Sequence, residues 1–247
     1  MQFSVVVPAH NEERWIGHGL ATIAAARARY AGPVETIVVA NRCTDATAEI
    51  AQRMGARVVE NDARNIAAVR NAGAAAATGT ALVTIDADCL MAPNALVEIA
   101  RLLQSGRFVG GGTKVVPSRS SGIRATYALV RVMTLMTRLS GAMFWCDRAD
   151  FDAVGGFDEG RILAEDLDFA RRLRAHGRRT RRRFVELRVA PVVASTRKFD
   201  EFGDWHMFKM ATELRAIRAA YQGVDTGWAD RYFFDFNADE SRERGPR

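Results

Sequence analysis

The 247-residue sequence has no uninterrupted apolar run of about 20 residues, so its pattern offers no membrane-spanning helix. Nor does a charged leader precede an apolar signal region; strand-like residues follow Met1 almost at once. Both absences lead to the expectation of a cytoplasmic protein. Cysteine is scarce: Cys43, Cys89 and Cys146 are three, widely spaced and without a metal-type pair, as expected of free thiols in a reducing compartment. No polar low-complexity tract, internal repeat or linker is visible, which leaves a globular chain read as one domain in two halves. Glycine is missing from Pro8-Ala-His-Asn-Glu-Glu13, so no glycine-rich phosphate loop follows the first strand pattern.

What is present is apolar and unevenly charged. Hydrophobic residues make up 48% of the chain, enough for one large α/β domain with a sizeable core. The net charge is +6, yet between Arg161 and Lys198 twelve Lys or Arg stand against four acids, which leaves the remainder slightly negative. One basic region suggests an anionic partner. Aromatic residues are not interleaved with these arginines as a nucleic-acid stacking platform requires, so no nucleic-acid partner is expected. A small-molecule or lipid phosphate, or a solvated helix face followed by an arginine-rich edge strand, accounts for the same charges.

The first half alternates strand and helix patterns. Phe3–Val7 reads as a buried strand ended by Pro8, which cannot donate to a ladder. A helix from about Arg14 to Tyr30, a strand Glu35–Val39 and a helix N-capped by Thr44 or Asp45 and closed by Gly55 follow. A third strand near 57–60 and an alanine-rich helix 66–77 lead to Ala81-Leu-Val-Thr-Ile85, an apolar run that reads as a strand buried on both faces. Three strand–helix units predict an α/β fold with a Rossmann-like, mostly parallel, doubly wound sheet and helices on both faces. Pro93 suits the first turn of the next helix.

Asp86 and Asp88 stand at the carboxyl end of the fourth strand, where α/β sheets bind ligands. Two carboxylates there suit a hard divalent cation, which in turn suits a diphosphate; a polar turn that happens to carry two acids is the plainer alternative.

Four landmarks stand in order: Val5-Val-Val-Pro-Ala-His-Asn-Glu-Glu13, Asn41-Arg-Cys-Thr-Asp45, Asp86-Ala-Asp88, and Gly155-Gly-Phe-Asp158 with Glu165-Asp166 beyond. Together they resemble the family 2 glycosyltransferases of the GT-A fold, over about Phe3 to Gly177. The resemblance implies transfer of a sugar from a nucleotide diphosphate donor, such as a UDP- or GDP-sugar, to an acceptor with inversion, using Mn²⁺ or Mg²⁺. Carried over by position, Pro8, Ala9, Asn11 and Glu12 line the nucleoside pocket, and Ala40-Asn41 stands where two aspartates often hold the base. Arg70 and Asn71 fall near the nucleotide phosphates, Asp86 near the ribose and Asp88 on the metal. Asp166 corresponds to the general base, with Glu165 beside it. An acceptor hydroxyl is a poor nucleophile and needs a carboxylate to take its proton, and a helix start favours Asp166 as an anion.

Some positions depart from the pattern. Ala40 makes no aspartate contact, while Asn41 offers both a donor and an acceptor to a pyrimidine edge. A downstream histidine often completes the metal site; the candidates are His176, in a helix-end motif, and His206, for which packing against Trp205 or facing water is the alternative. Arg197 and Lys198 supply cations for the leaving diphosphate. Trp145 and Trp205 suit either sugar stacking or a core. Arg124, Arg131 and Arg138 recur every seven residues on an otherwise apolar helix pattern, 123–139, which fits peripheral membrane contact, a second subunit or the domain itself. The domain is expected to span 1–236, with a nucleotide-binding half to about 112, an acceptor half after it and a disordered tail from Asn237. A nucleotidyltransferase or a non-catalytic nucleotide-sugar binder remains as an alternative; the missing glycine loop argues against the first and Glu165-Asp166 against the second.

Overall fold

β1, Phe3–Ala9, is buried at all seven positions, because it has strands on both edges and helices on both faces. In the computed structural model, which describes residues 1–118, 142–161 and 164–195, the further strands are β2 (Val34–Asn41), β3 (Arg57–Asn61), β4 (Ala81–Ile85), β5 (Cys89–Leu90), β6 (Phe108–Pro117), β7 (Met143–Asp147) and β8 (Arg183–Ala194). The helices are α1 (Ile16–Arg29), α2 (Thr47–Arg53), α3 (Ile66–Ala76), α4 (Ala95–Gln104), α5 (Arg148–Ala153) and α6 (Glu165–Arg179). The strand order is β3-β2-β1-β4-β7-β6-β8-β5. The pairs β2–β3, β1–β2, β1–β4 and β6–β8 are parallel, whereas β7 runs antiparallel to both β4 and β6, and β5 to β8. The α/β architecture is the one the pattern predicts, with a mixed second half.

Period-2 alternation sorts the apolar residues to the two faces. Phe3, Val5 and Val7 of β1 join Val83 of β4 and Trp145 of β7 in a core closed by Ile16, Leu20 and Ile23 of α1 and Leu96 and Ile99 of α4. Val6, Leu82 and Phe144 point the other way, into a core completed by α3 and by Phe151, Phe169 and Leu173. Trp145 is thus a core residue. Gly73 lets α3 lie directly on the sheet: a Cβ there would stand 2.3 Å from Val6 Cγ1 and 2.8 Å from Val39 Cγ2.

Several local expectations are corrected. β1 continues through Pro8 to Ala9, because β4 pairs with it only as far as Val6 while β2 follows to Ala9; the missing N–H falls where one edge of the strand has no partner. Neither Thr44 nor Asp45 occupies the N-cap of α2, which is Ala46, although Asp45 Oδ1 still accepts from the Thr47 N–H at 3.0 Å. Pro93 precedes Asn94, the cap of α4, rather than entering the first turn. Gly55 closes α2 at φ 78°, with the Ala56 and Gly55 N–H groups returning to Ala51 and Gln52.

At the amino ends of β1 and β4 the sheet is held by polar anchors, one half-buried at Glu35 and one buried at Asp150. Glu35 accepts hydrogen bonds from Ser4 Oγ, Thr78 N and Thr78 Oγ1, joining β1, β2 and the turn before β4. Asp150, 4% exposed, receives Arg182 Nη1 and Nη2 at 2.6 Å each and His176 Nε2 at 3.0 Å. This ties α5 to the carboxyl end of α6 and the approach to β8. Much of the basic stretch is paired internally in this way: Arg172 with Asp168, Arg182 with Asp150 and Arg188 with Glu186.

No described helix is long and apolar enough to cross a membrane. The helix pattern 123–139, Trp205 and the tail from Asn237 lie outside the described residues.

Asp150→Ala strands the Arg182 guanidinium and is expected to cost about 3–5 kcal/mol in denaturant unfolding, whereas Arg188→Ala, at an exposed pair, changes stability by less than about 1 kcal/mol.

Candidate active site

The carboxyl ends of β1, β2 and β4 open onto one edge, and the loops after β1 and β2 clasp each other there. Asn11, in a left-handed conformation at φ 51°, accepts from Thr44 N at 2.8 Å. Glu12 N donates to Thr47 Oγ1 at 2.7 Å, Glu13 N to Asp45 Oδ2 at 3.0 Å and Ala46 N to Glu13 Oε2 at 3.2 Å. His10 Nδ1 stands 2.6 Å from the Asn41 carbonyl; a carbonyl only accepts, so that nitrogen carries the proton. Pro8 and Ala9 are buried beneath this clasp and Glu12 is 7% exposed.

Asn41 is 2% exposed, and its amide nitrogen lies within hydrogen-bond reach of Asn61 O, Asn61 Oδ1 and Ala63 O, at 3.0, 3.1 and 2.8 Å. The donor expected to read a base edge instead holds the turn after β3, and only its carbonyl oxygen remains. Position, not side-chain type, decides this: β2 extends to Asn41, so its side chain is enclosed by the neighbouring strand end.

β4 stops at Ile85, and Asp86 N is held by the Ala142 carbonyl at 3.2 Å. Ala87 is pinned beneath α1, where Gly19 comes so close that a Cβ would stand 2.9 Å from the Ala87 carbonyl. Asp86 and Asp88 flank this buried alanine, each partly exposed. Arg70 Nη2 donates to Asp86 Oδ1 at 2.8 Å, and Arg70 Nη1 bonds Glu165 Oε1. The guanidinium lies 5.3 Å from the centroid of Phe157, which stacks on Phe169 at 4.3 Å. Burial alone would lower the Arg70 pKa, but Asp86, Glu165 and Asp166 raise it above the usual arginine value.

Arg70 therefore faces carboxylates, where the family resemblance pointed to phosphates. Asn71 turns instead to the second half of the chain. It accepts from Phe157 N at 2.9 Å and donates to Phe157 O and Glu159 Oε1, each at 2.8 Å. Asn65, which sequence reasoning missed, caps α3 through Ala67 N and Ala68 N and donates to Glu159 O and Arg161 O. Its signal was legible in Asn65-Ile66 as a capping residue; its partners 94 and 96 residues away were not.

Asp166 follows Glu165 in the first turn of α6, after Ala164 in a left-handed conformation at φ 56°. Burial raises the Asp166 pKa; the Arg70 charge and the Leu167 N–H oppose the rise, and Asp86 adds to it. Burial likewise raises Glu165, against Arg70. Burial thus opposes the anion at a helix start whose dipole would favour it. Leu167 beside it is 41% exposed.

Among the described residues, no group of three or more His, Cys, Asp or Glu side chains is arranged to hold a metal. Asp86 and Asp88 nevertheless fit a hard cation of the kind held by one or two carboxylates, with diphosphate and water completing its shell. Arg197, Lys198 and His206 lie outside the described residues.

An eight-stranded mixed sheet with this edge of acids is the GT-A glycosyltransferase architecture. The sequence model of glycosyl transferase family 2 matches residues 4–156, and the chain belongs to that family. Solved structures share the fold. The mannosyltransferase PcManGT from Pyrobaculum calidifontis, solved with GDP-Man and Mn²⁺, superposes with a TM-score of 0.65 at 20% identity over 100% of this chain and 76% of that one. Glucosyl-3-phosphoglycerate synthase from Mycobacterium tuberculosis, with Mn²⁺, UDP and glucosyl-3-phosphoglycerate, gives 0.63 at 20% identity, covering 92% of this chain and 81% of that one. TarS 1–349 of S. aureus with UDP-GlcNAc gives 0.61 at 21% identity over 79% of this chain, which spans 59% of that protein. A search of curated proteins found no match.

Asn71→Ala leaves the Phe157 backbone groups unsatisfied and is expected to cost about 1–3 kcal/mol in equilibrium unfolding.

Proposed function

We propose that the protein is an inverting, nucleotide-sugar-dependent glycosyltransferase acting on an acceptor hydroxyl. One observation supports this reading above the others: Arg70 brings Asp86, at the end of β4, into one cluster with Glu165, 79 residues later in the chain and next to Asp166. Donor-side and acceptor-side carboxylates thereby share one edge, as a displacement between two bound substrates requires. The chain forms one domain in this reading, with residues to about 112 serving the donor and those after it the acceptor.

Pro8, Ala9, Asn11 and Glu12 form the floor and wall of the nucleoside site, with His10 held against the Asn41 carbonyl. Asp86 faces the ribose, and Asp88, with Asp86 beside it, would hold Mn²⁺ or Mg²⁺, which supplies Lewis-acid charge to the departing diphosphate. Asp166 takes the acceptor proton as the hydroxyl oxygen attacks the anomeric carbon from the face opposite the diphosphate. The sugar C–O bond to the diphosphate breaks as the new one forms, so no covalent sugar–protein intermediate arises and the anomeric configuration inverts. The matching relatives bind UDP and GDP compounds, and both bases are donor candidates.

The donor is identified by thermal shift against UDP- and GDP-sugars with Mn²⁺: a midpoint raised by one base alone fixes it through binding linkage, and a flat response across the panel overturns the donor reading. Asp88→Ala is expected to abolish most divalent-cation dependence and turnover while leaving the fold intact; unchanged Mn²⁺-dependent turnover moves the metal elsewhere.

Asp166→Asn keeps the side-chain shape but cannot accept the proton, so turnover is expected to fall by about 10²–10⁴-fold with donor affinity nearly unchanged. The base works as the anion, and its raised pKa keeps it protonated to higher pH. The acid limb of the wild-type kcat profile should therefore lie above ordinary aspartate ionisation, and it should vanish in the variant. A product retaining the donor's anomeric configuration would refute the displacement.

A further inference from the structure

Arg70 is 7% exposed, and its two nitrogens are divided between carboxylates from different parts of the chain, Asp86 and Glu165. Along that first turn Asp168 is fixed by Arg161 and Arg172, and Asn65 holds the Glu159 and Arg161 carbonyls, whereas Glu165, the first residue of the helix, is bonded to Arg70. Ala164 caps α6 without a side-chain hydrogen bond, and among the described residues Asp166 Oδ1 accepts from the adjacent Leu167 N–H, at 2.7 Å. Arg70 is itself held at several points. It rises from α3, capped by Asn65 and seated on Val6 and Val39 at Gly73, and its guanidinium lies over Phe157, which stacks on Phe169 of α6.

A single buried cation shared by two anions is a divider. In a low-dielectric setting each partner's hold depends on the other's charge, and drawing one carboxylate away strengthens the bond to the one that stays. The planar fork permits this because each nitrogen serves its own partner.

We propose that Arg70 is a positioning residue that transmits donor-side occupancy to the acceptor side. When Asp86 turns its charge toward a bound cation or donor, Arg70 transfers its hold to Glu165 and stiffens the first turn of α6, fixing Asp166 for the acceptor. The role rests on the assignment of Asp86 to the donor side made above. It makes a prediction opposite in sign to that of a merely structural ion-pair network, in which loss of any member loosens the whole.

The test is amide hydrogen exchange of the full chain without ligand, read at Asp168 to Ala170, where Asp168 N is bonded to Ala164 O. Asp86→Asn removes the competing charge and is expected to slow exchange there by about fivefold or more, the lower bound of ordinary site-to-site coupling. Arg70→Met is expected to accelerate it, and the double variant to match Arg70→Met alone. Exchange that is unchanged or faster in Asp86→Asn, or effects that simply add in the double variant, would overturn the proposal. Should Arg70→Met not fold, the sign in Asp86→Asn decides by itself. Since no nucleotide enters this measurement, its failure is distinct from a flat thermal-shift panel, which would refute the donor reading.

Discussion

A guanidinium buried among carboxylates is the constraint on which the rest of the site depends. Arg70 on its own would be a costly charge to bury, and so would Glu165; each is tolerable only because the other is there. To bring them together α3 must lie flat on β1 and β2, β4 must end at Ile85, and the Gly155–Arg161 segment must fold back over α3. Asn65 and Asn71 hold that segment by its backbone, so the arginine's partners are placed by hydrogen bonds that none of the three ion-pairing groups makes.

The opposite end of the sheet is built on the same logic with other residues. Asp150, buried and clasped by Arg182 and His176, and Glu35, half-buried and bonded by Ser4 and Thr78, act as fixed joints. At the carboxyl end of β4 Asp86 and Asp88 stay partly exposed, as does Asp166 at the start of α6, while Asp150 and Asp168 are buried against arginines.

Part of this was legible in the residues. The alternating apolar runs, Gly55 and Asp86-Ala-Asp88 predicted the parallel half, the end of α2 and the acidic edge, because each is a local pattern read over a few residues. The resemblance carried by the four ordered landmarks led to the family. For Asn41 and Asn71 residue type does not specify the partner: an amide can serve a ligand or a backbone equally well, and the groups each meets lie on strands and loops up to 88 residues away. Within the basic stretch the partner of Arg182 was likewise not legible, since the aspartate it pairs with lies 32 residues before it.

By itself, then, the sequence determined the strand and helix periods, the α/β class, the position of the acids at a strand end and the family to which the chain belongs. All of these follow from side-chain type and short-range spacing, which the backbone converts directly into faces and ends. Only the tertiary structure decided that β7 turns antiparallel into the sheet, that Pro8 sits inside β1, that Arg70 bridges Asp86 to Glu165, and that burial raises Asp166. Those outcomes depend on which groups are excluded from water together, and desolvation is a property of the assembled neighbourhood rather than of any residue in it.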